Sequence, residues 1–235
     1  MVDGVLSEAL GVWESKLVRL FDKAKFLIVV TVLACETLFT TGARAVDSVL
    51  INCVETPGIS DMSGERKPEA FNLSNNLARQ TGSPVVADGE VIYLVGRVTD
   101  SKCNPVPNVN VFVWQSDHNG VYSGNPGYDE KFSGSGKATT DNLGNFGFIT
   151  VMPGRHMSSD PRIHFLIKHP AFPDFQTEMF FEGMGNSGSS HFSRIPDEMK
   201  DLLTARYVGK EDDTRIYGFN LTFADGVRSS NEHHE

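Results

Sequence analysis

Short apolar runs that alternate with a period of two, each closed by turn residues, constrain this chain more than any other feature. Val91-Ile92-Tyr93-Leu94-Val95-Gly96-Arg97-Val98 is rich in β-branched and aromatic residues, and Asp100-Ser101-Lys102-Cys103-Asn104-Pro105 after it is turn chemistry. Residues 109–115 alternate as a second strand. Thr139-Thr140-Asp141-Asn142-Leu143-Gly144 makes another turn, before a strand at Asn145-Phe146-Gly147-Phe148-Ile149-Thr150 that Pro153-Gly154 closes. Strands over 162–167, 175–181 and 215–223 complete the run. Short strands at this spacing predict an all-β sandwich. One short helix is expected near 196–205, where Pro196 precedes Asp197 and Glu198 at a first turn.

Organisation follows from the same reading. Residues 91–225 are expected to form the sandwich, 46–90 a turn-rich lead-in, and 226–235 a flexible tail. Residues 1–45 carry an export signal: Lys23 and Lys25 precede an apolar run over 26–34, and Ala43-Arg44-Ala45 suits cleavage before Val46. That run is far shorter than the roughly 20 residues a membrane span requires. Two alternatives for this segment are a membrane anchor and a lipid on Cys35, because Leu33-Ala34-Cys35 loosely matches a lipoprotein processing site. Ahead of it, Val5, Leu6, Leu10, Trp13, Leu17 and Leu20 recur at helical spacing. They read as an interfacial helix, or as residues upstream of a true start near Val18 or Leu20. The expected location is therefore exported, periplasmic or secreted.

The formal charge of -9 argues against nucleic acid as a partner, since such binding rests on neutralising phosphates. Export would leave Cys53 and Cys103 in an oxidising compartment, where they could pair. Neither has the spacing of a metal site. Self-association as a homo-oligomer stays open.

Chemistry concentrates on Arg162-Ile163-His164-Phe165. On a strand, residues 162 and 164 share a face, and a His-x-His pair there would chelate a metal. Arg162 instead offers a guanidinium, which carries no lone pair and stays charged. The face builds either a modified metal centre or a former one. A buried Arg162 must find a carboxylate, and Glu178, Asp117 and Asp160 are the candidates. His118 and His169 are expected at the surface, and His233-His234 would bind metal only adventitiously.

Several segments, in order, are similar to the intradiol ring-cleavage dioxygenases, the protocatechuate and catechol dioxygenase family. They are Val95-Gly96-Arg97-Val98-Thr99-Asp100, Pro105-Val106-Pro107, Val113-Trp114-Gln115-Ser116-Asp117, Gly120-Val121-Tyr122, Thr150-Val151-Met152-Pro153-Gly154, Arg162-Ile163-His164-Phe165, Gln176-Thr177-Glu178-Met179 and Tyr217-Gly218-Phe219. The likeness covers roughly residues 70–223. It implies a β-sandwich that holds Fe(III) between two tyrosines and two histidines. The ion would bind a catechol as its dianion for attack by O2, giving a muconate.

Carried over by position, Tyr122 resembles the first tyrosine ligand and His164 the second histidine. His156 stands where the second tyrosine is expected, and Arg162 where the first histidine is. The loop between His156 and Arg162 is shorter than usual. Arg162 thus also resembles the family's substrate-facing arginine, moved by a deletion, and Glu178 replaces a usual glutamine. The resemblance implies a metal centre of Tyr122, His156 and His164, with Arg162 as a catalytic group toward a small aromatic, catechol-like substrate. Such a set suits Fe(III) with less anionic charge than usual, and also Cu(II) or Zn(II). The rival reading is a metal-free exported β-sandwich kept as a binding module, a pseudoenzyme without cofactor.

Overall fold

The computed structural model describes residues 53–59, 67–157, 159–184 and 191–224. The expected export signal, the helical pattern of residues 1–22, Cys35 and the tail with His233-His234 lie outside the described residues. Among the described residues there are nine strands: β1 (Val91–Thr99), β2 (Asn110–Trp114), β3 (Ser135–Thr139), β4 (Asn145–Val151), β5 (Arg162–His169), β6 (Phe172–Phe181), β7 (Thr204–Glu211), β8 (Thr214–Gly218) and β9 (Leu221–Thr222). They run in the order β3-β2-β5-β6-β7-β8-β1-β4, with β9 beside β1. The first four form one layer of a β-sandwich and the last four the other. The layers join where Phe180 and Phe181 of β6 pair in parallel with Thr204 and Ala205 of β7.

Alternation decides which side chains fill the space between the layers. Ile92, Leu94 and Val98 of β1 point inward with Val111 and Val113 of β2, and all are 0–1% exposed. Ile163, Phe165 and Ile167 of β5 meet them, with Met179 and Phe181 of β6. Burying side chains of this size stabilises by about 1.5–3 kcal/mol each. The opposite face of β5 carries Arg162, His164 and Leu166, and these are buried too. A smaller cluster of Trp114, Tyr122 and Leu166, flanked by Phe71 and Phe112, covers that outer face.

Three aspartates shape the turns with one device. Asp100, Asp117 and Asp141 each accept from the backbone N–H groups two and four residues on through Oδ1. In each the residue three on has positive φ: Cys103, Gly120 and Gly144. The sequence pattern thus marks two of these turns correctly and hides the third, which precedes Tyr122.

The lead-in packs on the sandwich rather than standing apart. Ser74 O accepts from Lys137 N on edge strand β3, while Ile149 of edge strand β4 exchanges hydrogen bonds with Asn75 and Leu77. Leu77 is completely buried. Cys53 and Cys103 form a disulfide. Beyond it, Thr56 N donates to Thr222 O, Ile59 N to Gln176 O, and Thr177 Oγ1 to Pro57 O.

Other details depart from expectation. β3 and β7 were not foreseen, and the strand expected at 215–223 divides into β8 and β9. The helix expected at 196–205 is a single turn, α1 (Asp197–Lys200), followed by a 3-10 turn over Asp201–Leu203. It stops because Thr204 Oγ1 takes the Lys200 carbonyl and Thr204 onward pairs with β6 and β8. Among the described residues no helix is long and apolar enough to cross a membrane.

Candidate active site

A single cross-strand row organises the site. Ser135, Trp114, His164 and Glu178 lie directly opposite one another on β3, β2, β5 and β6. Period-two alternation puts them all on the outer face. Trp114 stacks on His164 with ring centres 5.0 Å apart, and this stacking fixes the plane of a completely buried imidazole.

Tyr122 reaches the row from the loop after β2. Its phenol oxygen lies 2.8 Å from His164 Nε2. Burial pushes the His164 pKa down to about 3, with nearby Arg162 and His191 adding and Glu178 opposing. The imidazole is therefore neutral. Burial, with Glu178 adding, pushes the Tyr122 phenol above its ordinary range. The phenol keeps its proton and donates to Nε2, which leaves the His164 proton on Nδ1, facing Glu178 Oε1 at 3.6 Å.

His156 arrives on the Pro153-Gly154 turn, which packs backbone against backbone on the Tyr122 loop. A Cβ on Gly120 would stand 1.9 Å from the Arg155 carbonyl oxygen, and one on Gly154 would stand 2.3 Å from Gly120 N. Gly120 also has φ of +84°, so only glycine fits there. The approach lets His156 Nδ1 sit 2.8 Å from Gly120 O, where it must donate. The His156 ring meets Tyr122 edge-on at 5.1 Å.

The arginine corner differs in kind. Arg162 Nε lies 3.7 Å from Glu178 Oε1, with the two side chains 7% and 1% exposed. Of the three candidate carboxylates, Glu178 is therefore the partner. Asp160 pairs with Arg155 instead, and Asp117 is committed to its turn, also accepting from Asp129 N. Burial alone would raise the Glu178 carboxyl, but His191, His164 and Arg162 together hold it below its ordinary range. Burial lowers the Arg162 pKa, with Glu178 opposing.

His191 had no place in the sequence reading, yet its Nε2 is 3.1 Å from Glu178 Oε2. The contact is close but not aligned as a hydrogen bond, since both atoms lack a hydrogen-bond partner. Twelve residues of intervening chain and no periodic pattern hid it. His118 and His169, expected at the surface, are half-buried. His118 packs beside Gly89, and His169 against Phe172 and Phe223.

The donor set can be tested against a first-row metal ion. Two ligand atoms each about 2.0–2.1 Å from one ion, and at right angles, stand about 2.9 Å apart. The Tyr122 oxygen and His164 Nε2 already have that spacing. His164 is neutral, the form that ligates. Tyr122 and His164 fit a metal, and His156 stands beside them. Arg162 does not fit. Among the described residues no three His, Cys, Asp or Glu side chains form a metal-binding group, so any such site needs the phenol.

Comparison with known proteins agrees with the architecture. A family model described as a dioxygenase matches residues 69–221. "Putative dioxygenase RT0384" of Rickettsia typhi is 28% identical over 178 residues, covering 69% of this chain and 86% of that protein. The hydroxyquinol 1,2-dioxygenase of Corynebacterium glutamicum is 30% identical over 155 residues, and the match spans about half of its length (51%) and 55% of this chain. An intradiol ring-cleavage dioxygenase from Tetranychus urticae shares the fold with a TM-score of 0.57 at 19% identity, covering 76% of this chain and 98% of that one.

Proposed function

Because the chain belongs to the intradiol ring-cleavage dioxygenase family, we propose that it is a ring-cleavage dioxygenase acting on a catechol-type diol. In this reading Tyr122, His156 and His164 hold one metal ion, Fe(III) in the first instance. The observation that carries it is the 2.8 Å convergence of Tyr122 and His164 at two positions where the family places ligands. The metal, when bound, would make the diol electron-rich enough to react with O2.

The chain's own residues supply the rest. Burial keeps His164 neutral, and the Gly120 carbonyl holds the His156 ring in place by engaging Nδ1. Tyr122 is the single anionic ligand, its phenol acidified by a bound cation. Arg162 balances the buried Glu178 carboxylate and shares the outer face of its strand with His164. Export to an oxidising compartment belongs to the same proposal, supported by the Cys53–Cys103 disulfide.

A second reading rests on the same corner. Arg162 and Glu178 neutralise each other where a third strong ligand would be expected, which favours a metal-free binding module. Metal analysis of protein purified without a histidine tag separates the two. Stoichiometric iron, a visible tyrosinate-to-iron band lost in Tyr122→Phe, and O2 uptake with catechol or hydroxyquinol support the enzyme. Colourless, metal-free protein inert toward both diols, even after addition of iron, overturns it.

A further inference from the structure

His164 is held on several sides. Trp114 on β2 and Glu178 on β6 are its direct cross-strand partners, so all three side chains rise from one face. Trp114 stacks on the imidazole at 21° to its plane, and the Tyr122 phenol oxygen lies 2.8 Å from Nε2. The other ring nitrogen, Nδ1, lies 3.6 Å from Glu178 Oε1. We propose that Glu178 is a positioning residue for His164, whose carboxylate weights the Tyr122–His156–His164 centre toward a trivalent over a divalent ion. The proposal rests on the metal-centre reading and adds the group that sets which ionic charge the centre prefers.

Placement comes first. At 3.6 Å the Nδ1 contact is longer than a hydrogen bond, so Glu178 acts as a fixed charge behind the ring. That charge is held in place. Glu178 is 1% exposed, Arg162 Nε stands 3.7 Å from the same Oε1, and His191 Nε2 stands 3.1 Å from Oε2. A carboxylate buried this deeply requires a paired charge, and the guanidinium supplies one.

Charge then decides the preference. A carboxylate behind a ligating imidazole makes the ring a stronger donor, and losing such a partner costs about 10–100-fold in metal affinity. The attraction grows in a dry interior and scales with the ion's charge, so a trivalent ion gains about half as much again as a divalent one. Arg162 opposes this field without cancelling it. Burial acts most strongly on the His164 ring, and after burial Glu178 outweighs the guanidinium.

Competition against a chelator, on the full protein with gallium(III) and zinc(II) as redox-inert probes, tests this. Glu178→Gln, nearly isosteric and uncharged, should weaken gallium(III) at least about tenfold more than zinc(II). In iron-loaded protein the same substitution should raise the Fe(III)/Fe(II) midpoint potential by at least about 59 mV, a tenfold change for one electron. If Glu178→Gln fails to fold, Glu178→Asp decides. It draws the charge back by a methylene and should give a smaller change in the same direction, at least about threefold.

Equal weakening of both ions, or an unmoved potential, marks a merely structural role and overturns the proposal. Wild-type protein that takes up neither probe nor iron overturns it together with the metal-centre reading. Selectivity lost in Glu178→Gln, with no O2 uptake by wild-type protein on catechol or hydroxyquinol, leaves Glu178 assigned and defeats ring cleavage alone.

Discussion

The Tyr122 phenol donates to His164 Nε2 across 2.8 Å, although 42 residues separate the two in sequence. Both groups are buried, and each makes the other's polar atom affordable in a dry site.

Tyr122→Phe therefore acts on the metal-free protein as well as on a loaded one. It leaves His164 Nε2 buried without its donor, which should cost about 1–3 kcal/mol in urea unfolding. Tyr122→His keeps a group able to bond and should cost less.

Glu178→Gln removes the negative member of the Arg162 pair. Breaking a buried pair from one side costs about 3–5 kcal/mol. The double variant Arg162→Leu with Glu178→Gln should recover much of that loss. A double-mutant cycle by chemical denaturation measures the coupling, expected at about 0.5–3 kcal/mol.

Reduction of Cys53–Cys103 should lower stability without dissolving the fold. The loop it closes spans 50 residues, for which chain entropy predicts about 4 kcal/mol, with about 2–4 kcal/mol typical. Melting with and without reductant, and of Cys53→Ser, should give matching shifts.

Gly120→Ala should disturb the site more than the core. Its Cβ would strike the Arg155 carbonyl at a positive φ, pushing apart the loops that carry Tyr122 and His156. A Tm lowered by several degrees should accompany weakened metal uptake, checked by calorimetry and metal analysis.

Acid should act through the aspartate turns. Hydrogen bonds from Asn104 hold the Asp100 carboxyl low, and those from Asn145 hold Asp141 low. A carboxyl with a lower pKa folded than unfolded contributes fully above the unfolded value, near pH 4, and fades as pH falls through the folded one. Asp100→Asn with Asp141→Asn should flatten the fall in stability measured between about pH 5 and pH 3.

Period-two alternation made β1, β2, β4 and β5 legible, because each turns one face into the core and carries mostly Val, Ile, Leu or Phe there. β3, Ser135-Gly136-Lys137-Ala138-Thr139, offers no such signal and is held by pairing with β2. β7 is half-exposed, and its middle is interrupted by an irregular register between Tyr207 and Gly209. The neighbours of His164 were partly readable: the family resemblance pointed to Tyr122, and the need of Arg162 for a carboxylate pointed to Glu178 among others. The stacking of Trp114 and the approach of His191 needed the third dimension, since neither follows from spacing along the chain.

The salt bridge on the outer face of β5 and β6 has a consequence for how this corner can change. A histidine at position 162 alone would leave the Glu178 carboxylate with less countercharge, and changing 178 alone would take a carboxylate neighbour from the guanidinium. Each single step weakens the fold, while the paired step does not. Positions 162 and 178 are therefore coupled through the fold, and a designer building a two-histidine chelate on this face should exchange both together.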